Sequence, residues 1–99
     1  MVIIVRAQFP PEGAAEMGKR LLEQKALPEY ITMKGPFIRA SKAAGIQTIT
    51  IYEIERAKLP DAFELIADRY VGYFGIPGFS YSTDVWLEAG EALKMVGIA

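Results

Sequence analysis

The side chains in this sequence able to do chemistry fall into two groups. One arginine and two carboxylates, Arg6, Glu53 and Asp84, sit in strand-like segments, and four tyrosines, Tyr52, Tyr70, Tyr73 and Tyr81, sit in or beside apolar runs. Converged in a pocket, Arg6 would bind an oxyanion or carboxylate, and Asp84 or Glu53 would serve as a base whose pKa burial raises. The plainer reading of the same residues is a structural ion-pair group, because an arginine held between packed surfaces needs a carboxylate whether or not a reaction occurs. The tyrosines, with Phe79, suit a cleft for a flat aromatic molecule that a phenolic hydroxyl orients. Against that stands helical spacing: Tyr70 and Phe74 recur on one stripe, and such a stripe builds core. The candidate ligand-binding set is Arg6, Tyr52, Tyr70, Tyr73, Phe79, Tyr81 and Asp84, with no residue assigned a catalytic role.

The residues that are missing narrow the chemistry further. With no His and no Cys in 99 residues, a histidine base, a Ser-His-Asp triad, a proximal-histidine haem and cysteine-based zinc or iron-sulfur sites are excluded within this chain. Glu53, Glu55 and Asp84 lack the loop spacing of a calcium or magnesium site, so no metal and no cofactor is expected. The glycines of Gly72-Tyr-Phe-Gly75-Ile-Pro-Gly78 lack the Gly-Lys-Ser/Thr of a phosphate loop and follow a helix, which makes them a turn. Lys plus Arg number 11 against 12 for Asp plus Glu, with no block of one sign. Neither nucleic acid nor an anionic membrane is therefore an expected partner. The apolar start, Met1 to Val5, has no basic segment before it and reads as a strand, and no apolar run approaches the roughly 20 residues of a membrane span. A cytoplasmic protein is the expectation.

The elements that must position these residues follow from periodicity. Residues 2 to 8 are β-branched and alternate, with Ile3, Val5 and Ala7 on one face and Val2, Ile4, Arg6 and Gln8 on the other. Pro10-Pro11-Glu12 opens a helix running to about Lys25, with Ala14, Met17, Gly18 and Leu21 on its packed side. Tyr30 to Lys34 and Phe37 to Ala40 read as one strand interrupted at Gly35-Pro36, which places it at a sheet edge or gives it a bulge. Ile46 to Glu55, the longest strand pattern, suits a central position. Pro60 starts a second helix whose stripe is Phe63, Ile66, Ala67, Tyr70 and Phe74, closed by Gly75 and Pro77. Phe79 to Leu87 forms the last strand, and Ala89, Ala92, Leu93 and Val96 share one side of a short C-terminal helix. Six of the 11 aromatic residues lie between Tyr70 and Leu87, so core and any pocket should meet there.

This order, strand-helix-strand-strand-helix-strand, predicts one α+β domain over residues 1–99: a ferredoxin-like βαββαβ unit. Its four-stranded antiparallel sheet has spatial order four, one, three, two, with both helices on one face. If Ile3, Val5 and Ala7 lie under the helices, then Val2, Ile4, Ile49, Ile51 and Trp86 crowd the opposite face. At roughly 1.5 to 3 kcal/mol for each large apolar side chain fully buried, that face calls for a cover, and a second copy packed sheet to sheet is the simplest.

In element order, length, two-faced first strand and apolar tail, the chain resembles the dimeric α/β-barrel superfamily, in which two ferredoxin-like subunits pack their sheets together. The resemblance implies a homodimer. It spans monooxygenases, isomerases and small proteins without assigned activity, and the histidine used by its haem-degrading and YCII-like members is absent here. The resulting expectation is a homodimer or higher homo-oligomer that serves as a non-enzymatic or small-ligand-binding module, with a small hydrophobic molecule as the candidate ligand. The alternative is a cofactor-independent monooxygenase or isomerase acting on a small aromatic or hydrophobic substrate.

Overall fold

The computed structural model describes residues 1–98. The order is β1 (Val2–Phe9), a 3-10 turn (Pro11–Gly13), α1 (Ala14–Leu22), β2 (Ile31–Ser41), β3 (Gly45–Ile54), a second 3-10 turn (Arg56–Lys58), α2 (Leu59–Val71), β4 (Ser80–Trp86) and α3 (Ala89–Met95). The strands form one open antiparallel sheet in the order β2-β3-β1-β4. Read from the other edge, this is four, one, three, two. The long β-branched run of β3 is central, flanked by β1 and β2, and β2 lies at an edge. Its pairing with β3 shifts register between Lys34 and Phe37, around a cis Gly35–Pro36 peptide. Proline has no N–H to give a ladder, so an edge strand with a local irregularity is where the sheet tolerates it.

Pairing fixes which residues share a face. Ile3 lies opposite Tyr52, Val5 opposite Thr50 and Ala7 opposite Thr48 and Tyr81. On this side Ile3, Val5, Ile31, Tyr52 and Ile54 meet Ala62, Ile66 and Tyr70 of α2, with Tyr73 and Ile76 beyond its end, and together they make the core. The opposite face carries Val2 beside Glu53 and Trp86, Ile4 beside Ile51 and Asp84, and Arg6 beside Ile49 and Ser82. Among the described residues no layer covers it, and Trp86 is 46% exposed and Phe37 56%.

Two expectations about the helices need correction. The buried stripe of α2 is Ala62, Ile66 and Tyr70, whereas Phe63 and Phe74 are exposed. The helix ends at Val71, so Phe74 lies in the following turn instead of one helical repeat further along, and the stripe rotates onto Ala62, the small residue that lets the helix approach the sheet. The first helix stops at Leu22, short of Lys25, and buries no residue fully. Two of its four cavity-lining positions are Ala14 and Gly18, which offer almost no side chain to the space between helix and sheet, and a Cβ added at Gly18 would meet nothing within 4 Å. The turn between α2 and β4 is fixed by close approach: Gly78 has φ +77°, and a Cβ there would lie 2.6 Å from Cγ of Pro10. Only glycine fits both conditions. The C-terminal helix α3 begins in a reciprocal capping box between Glu88 and Glu91, and Glu91 also takes an ion pair from the Met1 amine at 2.7 Å. No helix among the described residues is long and apolar enough to cross a membrane.

Candidate functional site

The gap under α1 is a cavity of about 230 Å³. Its roof is the inner side of α1, through Ala14, Met17, Gly18 and Leu21. The floor is the helix-facing side of the sheet, where Ala7 and Phe9 of β1 lie beside Thr48, Thr50 and Tyr52 of β3, and Met33 of β2 lies opposite Tyr52. One end is closed by Arg69, Tyr70 and Tyr73 from the last turn of α2 and just beyond it. The local reason is consistent throughout. Small residues on α1 leave the volume, and period-two alternation sends every second residue of β1 and β3 into it.

Hydroxyl groups are the main polar feature of a predominantly apolar lining. Tyr52 and Tyr70 are both buried and share one hydrogen bond of 3.1 Å between their phenolic oxygens. Burial pushes the Tyr70 hydroxyl far up from its ordinary range, the Tyr52 hydroxyl adds to this, and Thr50 opposes it. Tyr73 is also raised by burial, with a hydrogen bond from Gln24 and the nearby Arg69 charge working against the shift. Burial thus favours the protonated form of Tyr70 and Tyr73, in which each hydroxyl is a hydrogen-bonding group.

Arg69 supplies the charge. It is half-buried; Nη1 donates to the Lys25 carbonyl oxygen at 2.8 Å, and Nη2 lies 4.0 Å from Sδ of Met33. Its own carbonyl accepts from Nε2 of Gln24 at 2.8 Å, which ties the end of α2 to the exit of α1.

The seven candidate residues divide between two faces of the sheet. Tyr52, Tyr70 and Tyr73 line the cavity. Phe79 and Tyr81 back it: Tyr81 stacks on Tyr70 with centroids 5.3 Å apart and planes at 18°, and Phe79 packs on both Tyr73 and Tyr81 at 5.6 Å. Arg6 and Asp84 lie on the uncovered face, separated from the tyrosines by the thickness of the sheet. The expected grouping of Arg6, Glu53 and Asp84 is not formed among the described residues. Glu53 instead pairs with Lys34 at 2.6 Å across β2 and β3, and among the described residues neither Arg6 nor Asp84 has an ion-pair partner. Lys34 is the diagonal neighbour of Glu53 on the same face and reaches it with a long flexible stem. Arg6 contributes instead to a broad open groove of about 680 Å³ on the uncovered face, with Arg39, Gln8 and Gln47.

Sequence reasoning missed Arg69, Thr50 and the α1 roof. Arg69 follows Asp61, Glu64 and Asp68 in a helix whose charges mark a wet side, so nothing local distinguishes it. Gly18 did carry a signal: a glycine inside a helix costs about 0.5–1 kcal/mol relative to alanine and asks for a reason. No protein-family model matches the chain, and no curated protein matches it either.

Proposed function

We propose that the protein is a homodimeric small-ligand-binding module of ferredoxin-like βαββαβ architecture, similar in plan to the dimeric α/β-barrel superfamily, with one ligand cavity in each protomer. The observation that carries this reading is the 230 Å³ apolar cavity between α1 and the sheet, with the Tyr52–Tyr70 hydroxyl pair in its wall. A concave, mostly apolar space with a few convergent polar groups is the usual form of a small-molecule site. At ~30 Å³ per molecule of liquid water, the space corresponds to about eight waters, which suits a ligand of one or two rings. The element order and antiparallel sheet are compatible with the ferredoxin-like plan.

The dimer rests on the other face. Val2, Ile4, Ile49, Ile51 and Trp86 share a surface that nothing among the described residues covers. A second copy would remove those side chains from water through a self-complementary contact. Catalysis by a cofactor-independent monooxygenase or isomerase is the second reading, favoured by the aromatic wall of the cavity. Burial keeps the Tyr70 hydroxyl protonated and it is bonded to Tyr52, so it offers no ready base, and we put binding first. A cytoplasmic location is part of the same proposal.

The test is an NMR titration with 2-naphthol, a neutral flat aromatic probe. Saturable shifts concentrated at Gly18, Thr50 and Tyr70 are expected. No saturable response, or shifts confined to the face of Trp86, would overturn the cavity reading.

A further inference from the structure

Among the described residues, the cavity has one charged side chain in its wall, Arg69, and no acidic residue lines it. Among the described residues no carboxylate pairs with this guanidinium; its contacts are a backbone carbonyl and a thioether sulfur. A carbonyl oxygen is a neutral acceptor and a thioether a weak one, so part of the donor fork and the charge have no anion of the described residues opposite them. The arginines elsewhere on this side of the molecule are treated differently. Arg20, for example, meets Glu16 at 2.9 Å and two backbone carbonyls.

The position of Arg69 relative to the hydroxyl pair narrows the ligand. Its Nη2 rests against Met33, and the Tyr70 hydroxyl rests against Tyr52. Met33 and Tyr52 are direct partners on adjacent strands, roughly 4.7–4.9 Å apart in the hydrogen-bonding direction. Arg69, Tyr52 and Tyr70 line one small, apolar volume, and the floor residues that Arg69 and Tyr70 touch, Met33 and Tyr52, are paired on adjacent strands.

We infer that the cavity takes a small apolar-bodied organic carboxylate, an aromatic monoacid above all, with Arg69 as its anchoring residue and the Tyr52–Tyr70 pair as the contact for a second oxygen. This rests on the ligand-binding reading of the cavity and specifies the ligand class. The planar fork of arginine matches a carboxylate in a bidentate manner, and the single charge is balanced by a single anion. A phosphate ester, at about −1.5 to −2, would bring surplus negative charge into an apolar space with one cation to meet it.

The experiment compares 2-naphthoate with its neutral isostere 2-naphthamide, by calorimetry on the full chain. The wild-type protein is expected to bind the acid at least tenfold more tightly than the amide. Arg69→Met should abolish that preference, and a circular-dichroism spectrum matching the parent's reports that the fold is kept. Arg69→Lys, a point charge without the fork, should retain part of the preference. Equal affinity for acid and amide in the wild type, or a preference that survives in Arg69→Met, would overturn the anchoring role and leave the cavity reading standing. If neither probe binds, both fall together.

Discussion

Replacing Gly18 separates the two demands on α1, which must cover the sheet and also leave space beneath it. A Cβ added at Gly18 meets nothing within 4 Å, and its backbone needs no left-handed conformation. Alanine therefore brings no clash and removes the entropic cost of glycine in a helix, about 0.5–1 kcal/mol. For a domain of about 60–100 residues, 1 kcal/mol corresponds to a midpoint shift of about 4–8 °C, so Gly18→Ala should unfold a few degrees higher in a thermal scan followed by circular dichroism. Gly18→Leu should also be at least as stable as the parent, because its side chain enters an existing apolar space lined by Met17, Leu21 and Phe9 in place of solvent. The cost should fall on binding: Gly18→Leu should lose measurable affinity for 2-naphthoate, with Gly18→Ala in between. Stability and binding would then move in opposite directions at one position. A Gly18→Leu protein that binds as well as the parent, or a Gly18→Ala protein that unfolds at a lower temperature, would refute the account of α1 as a spaced roof.

Tyr70→Phe leaves the buried Tyr52 hydroxyl without the partner at 3.1 Å, so denaturant titration should show a loss of about 1–3 kcal/mol. The double substitution Tyr52→Phe/Tyr70→Phe should recover part of that loss, because both polar groups are then gone. Gly78→Ala requires a Cβ 2.6 Å from Pro10 and a positive φ, and a destabilisation of more than about 1 kcal/mol is expected from chemical unfolding. Ile51→Asp places a charge at the middle of the uncovered face. Light scattering should then report the 10.9 kDa protomer where the unaltered chain gives twice that mass, and a monomeric parent would remove the sheet-to-sheet proposal.

Much of the architecture was legible because strands announce themselves by alternation. Val2 to Gln8 and Ile46 to Glu55 each carry two distinct faces in their residue order. Assigning Ile3, Val5 and Ala7 to the helix side correctly puts Val2, Ile4, Ile49, Ile51 and Trp86 on the other. The candidate site was legible in part. Tyr52, Tyr70 and Tyr73 were recognisable as large side chains with a polar tip, and they do line one cavity. Phe79 and Tyr81 stand one layer behind them, a distinction that depends on ring positions and not on spacing.

The sequence by itself determined the element order, the two-faced sheet and the absence of histidine and cysteine chemistry, because periodicity and residue type are local properties. Tertiary structure decided the rest. Register placed Arg6 and Asp84 on the face away from the tyrosines, and the early end of α2 turned Phe74 outward. The exit of α1 brought the Lys25 carbonyl to Arg69, and β2 set Met33 beside it, leaving a helix-surface arginine half-buried in the wall of a cavity. Such placements depend on contacts between residues tens of positions apart, and no pattern of neighbours along the chain encodes which charge will end up beside an apolar space.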